Sequence, residues 1–395
     1  MKRRGIILPA FFTLVLIGAF LVIRLAQGYR PDLSTRSLRP SGLLVATSVP
    51  DGAQIYLDGK LASATNTTIN LNPGEYKVEI KKEGYAPWKK TLTIKKELVT
   101  KADAYLFPTY PNLQSLTFTG ALNPILSPDG QKVVFAVSQS SIEKNGLWVL
   151  DLGDRPLGLP RDPRKIVASA PGGRDFSLAK LTWSLDSKQI LATLEIKAGE
   201  ENILLDASQL NPANLLIDVT DRLATIQTGW QKDEQLKLDA QLAKLPAPFQ
   251  EILATTVKNI QFADDETKML YTATASAQIP KDLIPALPST STQPENRNLE
   301  KGKIYVYDLK EDKNFLIIDE DAKKKIAWFP TSKHLFLVQV GKITILEYDN
   351  TNWVDVYTGP FEDMYAYPFP AGNRILVLTS LSEDTPRNLY AISLR

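Results

Sequence analysis

The sequence predicts a mostly β protein: an N-terminal transmembrane helix, a small β-sandwich, then a β-propeller of five, or at most six, blades with a helical insertion. Three observations predict this. An uncharged apolar run opens the chain. Residues 42–107 alternate polar and apolar side chains between turn dipeptides. From residue 111 onward one pattern of four short strands returns five times.

Composition narrows the function. The chain has 395 residues, enough for two or three folded units, and 46 Lys+Arg against 44 Asp+Glu give a net charge of +2. A domain held on nucleic acid by charge carries a large basic excess, so no nucleic-acid partner is expected. Cysteine is absent, which excludes disulfides, thiolate nucleophiles and Cys-ligated metals, and His334 is the only histidine. No cofactor and no metal site is predicted.

Gly5–Ile23 (GIILPAFFTLVLIGAFLVI) carries no charge. At 1.5 Å per residue, about 20 apolar residues span the ~30 Å hydrocarbon core. Lys2, Arg3 and Arg4 precede the run. Residues 1–27 therefore read as a cytoplasmic stub and a single membrane span, with the bulk of the chain extracytoplasmic. The alternative is a cleaved leader. Its apolar region is shorter, about 7–15 residues, and Arg24 stands where a cut after Ala26 needs a small side chain. Residues 28–41 hold two prolines and no apolar periodicity, and read as a linker.

Residues 42–107 read as a compact sandwich. Strands at Leu43–Val49, Ala53–Gly59, Thr67–Leu71, Glu75–Tyr85 and Trp88–Lys96 are separated by turn signals. Tyr76, Val78 and Ile80 alternate with Lys77, Glu79 and Lys81, which gives one buried and one wet face. The motifs Pro50-Asp51-Gly52-Ala53, Asp58-Gly59, Pro73-Gly74 and Gly84-Tyr85 follow in order. On these residues the segment resembles the PEGA domain, with Asp51 where the name-giving Glu stands. The resemblance implies a surface-associated β-sandwich without chemistry of its own, set beside membrane anchors.

Residues 111–395 read as the repeat. Its first half appears at Ile125–Val137, Leu181–Leu194, Ile260–Ala273, Ile326–Val340 and Tyr367–Ser380. A second strand pair completes most units, and Leu113–Gly120 can supply the outer strand that the last unit lacks. Ser127-Pro128-Asp129-Gly130 and Trp183-Ser184-x-Asp186-Ser187 stand at the start of two units, and Phe262-x-Asp264 and Trp328 mark two more. These motifs resemble the WD-like repeats of TolB-type propellers. Their role is structural: Asp and Gly shape a hairpin turn while the aromatic packs between blades.

Two insertions interrupt the repeat. Residues 230–256 have helical spacing, with Leu236, Ala240, Leu242 and Leu245 as the expected stripe, and Pro246 and Pro248 end the first helix. This hairpin caps the ring or replaces a blade; the alternative is a helix pair that docks a partner. Residues 278–301 hold four prolines and a Ser/Thr cluster, and read as a long loop.

Catalytic chemistry has no motif to rest on. His334 lacks a nucleophile elbow, and Pro171-Gly172-Gly173-Arg174 lacks the Lys-Ser/Thr of a phosphate loop. The acidic runs Asp264–Glu266 and Asp319–Asp321 lack calcium-loop spacing. The expected function is a non-enzymatic, membrane-anchored scaffold that binds a protein partner in the cell envelope through the long-loop face of the propeller. The alternatives are a cell-wall or surface polysaccharide held by Tyr85, Trp88, Trp353, Tyr357, Tyr365 and Tyr367, or glycan cleavage by two carboxylates.

Overall fold

The computed structural model describes residues 4–26, 30–32, 37–138, 142–153, 162–170, 173–197, 199–362, 364–382 and 385–395. Chain contacts divide it into two units. One is Met1–Phe107 with Pro285–Pro294; the other is Pro108–Ile284 with Glu295–Arg395.

The first unit opens with helix α1 (Arg4–Ala26). Residues Gly5–Ile23, where a membrane span is expected, lie within this helix. Among the described residues, however, no helix is long and apolar enough to cross a membrane. The expected linker holds a short antiparallel ladder of β1 (Arg30–Asp32) and β2 (Ser37–Arg39).

The sandwich follows with β3 (Gly42–Val49), β4 (Gln54–Leu57), β5 (Lys60–Ala64), β6 (Thr67–Leu71), β7 (Gly74–Lys81), β8 (Trp88–Ile94) and β9 (Val99–Tyr105). Its two sheets run β6-β3-β9 and β5-β4-β7-β8. Alternation supplies the core: Leu44 and Ala46 of one sheet meet Ile55, Val78, Ile80 and Leu92 of the other. Strand β9 pairs parallel with β3, Leu43 opposite Val99.

The second unit begins with β10 (Leu113–Ser115). The first four-stranded sheet is β11 (Leu122–Leu126), β12 (Lys132–Val137), β13 (Gly146–Asp151) and β14 (Arg164–Ala168); the second is β15 (Lys180–Trp183), β16 (Gln189–Ile196), β17 (Gly199–Asp206) and β18 (Ile217–Asp218). Helices α2 (Leu223–Leu242) and α3 (Ala247–Thr256) intervene. The third sheet is β19 (Val257–Phe262), β20 (Lys268–Ala273), β23 (Lys303–Asp308) and β24 (Lys313–Asp319), with a small ladder, β21 (Ala277–Gln278) and β22 (Asn298–Leu299), inside its long loop. The fourth is β25 (Lys324–Trp328), β26 (His334–Gln339), β27 (Lys342–Glu347) and β28 (Val354–Thr358). The fifth is β29 (Ala366–Pro368), β30 (Arg374–Thr379) and β31 (Asn388–Ser393), and β10 pairs onto β31 as its outer strand, Leu113 opposite Ile392.

Sheets pack face to face through their middle strands. Val134 and Val149 of the first meet Ile190 and Ile203 of the second. Leu270 and Val306 of the third meet Leu335 and Leu337 of the fourth. Val133 and Leu150 of the first meet Leu376 and Leu389 of the fifth. The remaining face of the third sheet, bearing Met269, Tyr271, Tyr305 and Tyr307, is covered by Leu245, Phe249 and Leu253 from the helical hairpin.

The turn after the first strand of each sheet, called the inner strand, has one geometry. Its fourth residue adopts a left-handed backbone in all five sheets: Gly130 (φ 68°), Ser187 (57°), Glu266 (53°), Ser332 (55°) and Gly372 (63°). Non-glycine residues in that region bear strain unless something offsets it. Ser187 Oγ accepts from Asp129 N–H at 3.1 Å, and Ser332 Oγ accepts from Asp265 N–H at 3.2 Å. Each serine thus joins its own turn to the turn of the preceding sheet. Ser332→Ala is expected to lower the unfolding free energy by about 1–3 kcal/mol, because a donor in a largely buried turn loses its acceptor. Urea denaturation of the full chain measures this, and a change under about 0.5 kcal/mol would argue that water replaces the bond.

Candidate protein-binding surface

The inner-strand turns of neighbouring sheets share one end of the second unit, as the Ser187 and Ser332 bonds require. The connections from second to third strand, and from each outer strand to the next inner strand, therefore share the other end. Large apolar side chains stand exposed there on four connections and at the adjoining end of β16: Phe118 (80%), Leu178 (85%), Val340 (81%) and Leu381 (66%), and Ile196 (45%). At the turn end the exposed ones are Tyr110, Leu210, Leu215 and Trp353. Residues 139–141, 171–172, 198, 363 and 383–384 of the connections at the long-loop end lie outside the described residues.

A cleft of about 810 Å³ opens at the long-loop end between the third and fourth sheets. Its floor is apolar, from Leu270, Ile304, Ile318, Ile326 and Leu337. Its rim carries Lys258, Asp319, Glu320, Asp321, Lys324 and Lys325. Lys258 pairs with Glu320 at 2.8 Å, and Asp321 accepts from Lys323 N–H at 2.9 Å. These carboxylates serve ion pairing and turn capping. Strand β19 bulges beside the cleft, where register slips between Lys258 and Gln261 and Asn259 takes φ 55°. At the far end Trp328 Nε1 donates to Gln261 O at 2.9 Å and ties the inner strands together. A polar rim around an apolar floor suits an anchoring side chain of a protein partner.

The residues of the repeated turn motif hold structure. Ser127 Oγ donates to Asp129 Oδ1 at 2.6 Å, and Ser184 Oγ donates to Asp186 Oδ1 at 2.7 Å. Trp183 Nε1 donates to Ile125 O at 3.1 Å and Tyr367 Oη to Pro124 O at 3.0 Å, each crossing to the first sheet. Phe262 packs in the cluster under α3. In the third turn the capping carboxylate is Asp265, which accepts from Thr267 N–H at 3.0 Å. Asp264, expected in that role, stands at the position of Pro128, and burial together with the neighbouring Asp265 charge raises its pKa. The third turn lacks the serine and begins at Ala263, so the sequence presents two adjacent aspartates and no anchor to choose between them.

Burial acts to raise the Asp129 carboxyl, but hydrogen bonds from Ser127 and Gln131 N–H outweigh it and its pKa is lowered. The Ser184 hydrogen bond lowers Asp186 likewise. A depressed folded pKa stabilises the fold above the unfolded value of about 3.9, and that contribution is lost as pH falls through the folded value. Asp186→Asn is therefore expected to flatten the acid limb of stability below about pH 4 while losing stability at about pH 6. Guanidinium midpoints at the two pH values measure it; parallel acid limbs would remove the carboxylate from the account.

In the first unit, Gly52, Asp58, Gly59, Gly74 and Gly84 all take positive φ, as their turns demand. Pro50 O accepts from Ser48 Oγ at 2.7 Å, and the buried Ala53 donates its N–H to Thr65 Oγ1 at 2.9 Å. Asp51 O accepts from Lys82 Nζ at 2.7 Å. Asp58 Oδ1 accepts from Lys77 N–H at 3.0 Å, Pro73-Gly74 leads into β7, and Tyr85 packs against the sandwich core.

Residues 41–109 match the PEGA domain. This PEGA domain spans both sheets of the sandwich. No curated protein matches the chain. Among solved structures, similarity extends to a putative TolB from Agrobacterium tumefaciens (11% identity, 71% of this chain and 75% of that one, TM-score 0.22). It extends also to TolB from Acinetobacter baumannii (14% identity, 80% and 60%, TM-score 0.21) and to the Pyrococcus horikoshii acylaminoacyl peptidase (11% identity, 72% and 40%, TM-score 0.21).

Trp88 lies in the PEGA core, Tyr367 is bound to the first sheet, and Trp353 is at the turn end. His334 is buried, its Nδ1 2.8 Å from Thr331 Oγ1. Among the described residues no group of three His, Asp or Glu side chains is placed to hold a metal. Residues 171–172 of the glycine-rich segment lie outside the described residues.

Proposed function

We propose that the five sheets are blades of a β-propeller closed by the β10–β31 pairing, and that the helical hairpin occupies a blade position between the second and third. The propeller binds a protein partner through its long-loop end without catalysing a reaction. The apolar run Gly5–Ile23 anchors the chain in a membrane, and both folded units face the extracytoplasmic side of a cell envelope. The observation that carries the binding surface is the cleft at the long-loop end, with its apolar floor and charged rim, on the same end as five exposed apolar tips.

The test is capture from envelope extract with the full chain and two charged variants. Phe118→Glu/Val340→Glu/Leu381→Glu is expected to abolish recovery of a stoichiometric protein, and Leu215→Glu/Trp353→Glu to leave it intact. Recovery by all three, or retention only on wall polymer, would overturn the assignment.

A further inference from the structure

The long loop of the third sheet is ordered in two parts. Its roots belong to the second unit, where Ile279 and Leu299 are buried under the hairpin. Its middle, Pro285–Pro294, belongs to the first unit. There it meets β8 and β9, which are the last strands of their respective sheets and so each present one open edge. Ser289 Oγ donates to Val99 O at 2.6 Å, and Gln293 Nε2 donates to Thr91 O at 2.9 Å. Thr292 Oγ1 reaches the same Thr91 carbonyl at 3.5 Å. Between these points Thr100 Oγ1 donates to Thr93 O at 3.3 Å and holds the two edges together.

The contacts have a definite chemistry. Ser289, Thr292 and Gln293 all donate from their side chains, and both acceptor strands offer backbone carbonyls. Pro285, Pro288 and Pro294 have no N–H to extend either ladder. The segment thus satisfies edge carbonyls without adding a strand, and it does so with a hydroxyl and a carboxamide four positions apart. Backbone pairing would accept nearly any sequence; side-chain donation reads these residues.

We propose that the seam between β8 and β9 is a peptide-recognition groove and that Pro285–Pro294 is its resident ligand. The groove takes an extended, proline-bounded segment bearing Ser and Gln donors at this spacing. In the intact chain the loop fills it in cis. When the loop is withdrawn, the groove takes the same segment in trans.

The experiment uses the full chain with residues 286–293 replaced by Gly and Ala, and a labelled synthetic peptide of residues 284–295. Anisotropy is expected to show saturable binding to the replaced chain. A peptide carrying Ser289→Ala and Gln293→Ala binds about tenfold more weakly, the loss of two modest hydrogen bonds. The intact chain, already filled, takes up the peptide at least about tenfold less well. No binding to a replaced chain that melts cooperatively, or equal binding of both peptides, overturns the proposal. Should the replaced chain fail to fold, the intact chain carrying Ser289→Ala/Gln293→Ala decides. Its loop is then expected to be cleaved by a nonspecific protease about tenfold faster, and an unchanged rate overturns the proposal.

Discussion

Phe249→Ala is expected to destabilise the second unit by about 3–5 kcal/mol, the range for truncating a buried Phe with incomplete collapse around the void. Phe249 is fully buried on α3 and lies 4.3 Å from the ring of Tyr307 and 6.3 Å from that of Tyr271. With Leu245 and Leu253 it makes the apolar face of the hairpin against the third sheet. The tyrosines beneath cannot move to fill the space. Tyr271 Oη donates to Asn314 Oδ1 and Tyr307 Oη to Asp312 Oδ1, both at 2.8 Å. Burial raises the pKa of both phenols, so they remain neutral donors. Helix α2 has no buried residue, so it contributes little to hold α3 in place. Guanidinium denaturation checks the magnitude, with Leu236→Ala as a control expected within about 0.5 kcal/mol, since Leu236 is 56% exposed. Comparable losses in both variants would mean the hairpin is held by its whole length rather than by Phe249.

Much of this architecture is legible in the sequence because its signals are local. Five copies of an apolar strand pair, and Asp-Gly turns spaced along the PEGA domain, are patterns that neighbouring residues impose on each other. The departures have physical causes. Strand β9 escapes a reading by apolar alternation because its inward residues are Thr100, Ala102 and Ala104, too small to register as an apolar face. Of the stripe expected at Leu236, Ala240, Leu242 and Leu245, Leu242 is half-buried and Leu245 buried, but Leu236 and Ala240 are exposed while Leu238 is half-buried. Leu236 and Leu238 sit two apart on opposite sides, and only the packing partner decides between them. The helix also begins at Leu223, earlier than residue 230, because Gly229 does not interrupt it. The cleft and the seating of Pro285–Pro294 on β8 and β9 cannot be read from sequence at all. Lys258 and Glu320 are far apart along the chain, and Ser289 meets Val99 across 190 positions. Such contacts leave no periodic trace.

Gly146→Ala is expected to cost about 3–5 kcal/mol, strain at a left-handed backbone added to overpacking against the next strand. Gly146 opens β13 with φ 137°, and a Cβ there would overlap the carbonyl oxygen of Val167 and lie 2.9 Å from Ala168 Cα. Both contacts are backbone, so no side chain can swing away. Relief requires β14 to separate from β13, where Gly146 pairs with Ala168 and Leu147 with Val167. That withdraws the fully buried Ile166 and Val167 from the cluster shared by the first two sheets. The damage then spreads to the second sheet. Ile166 O accepts from Asn211 N–H at 2.7 Å and from its side chain at 2.9 Å, while Arg164 donates to Ala207 O at 2.7 Å. Hydrogen exchange is therefore expected to accelerate in β14 and across 207–211 together. Gly130→Ala separates the two causes: its φ is 68° but a Cβ there meets open space, so it should lose only about 1 kcal/mol. If both variants lose the same amount, backbone strain alone accounts for Gly146, and the close approach of β14 carries no weight.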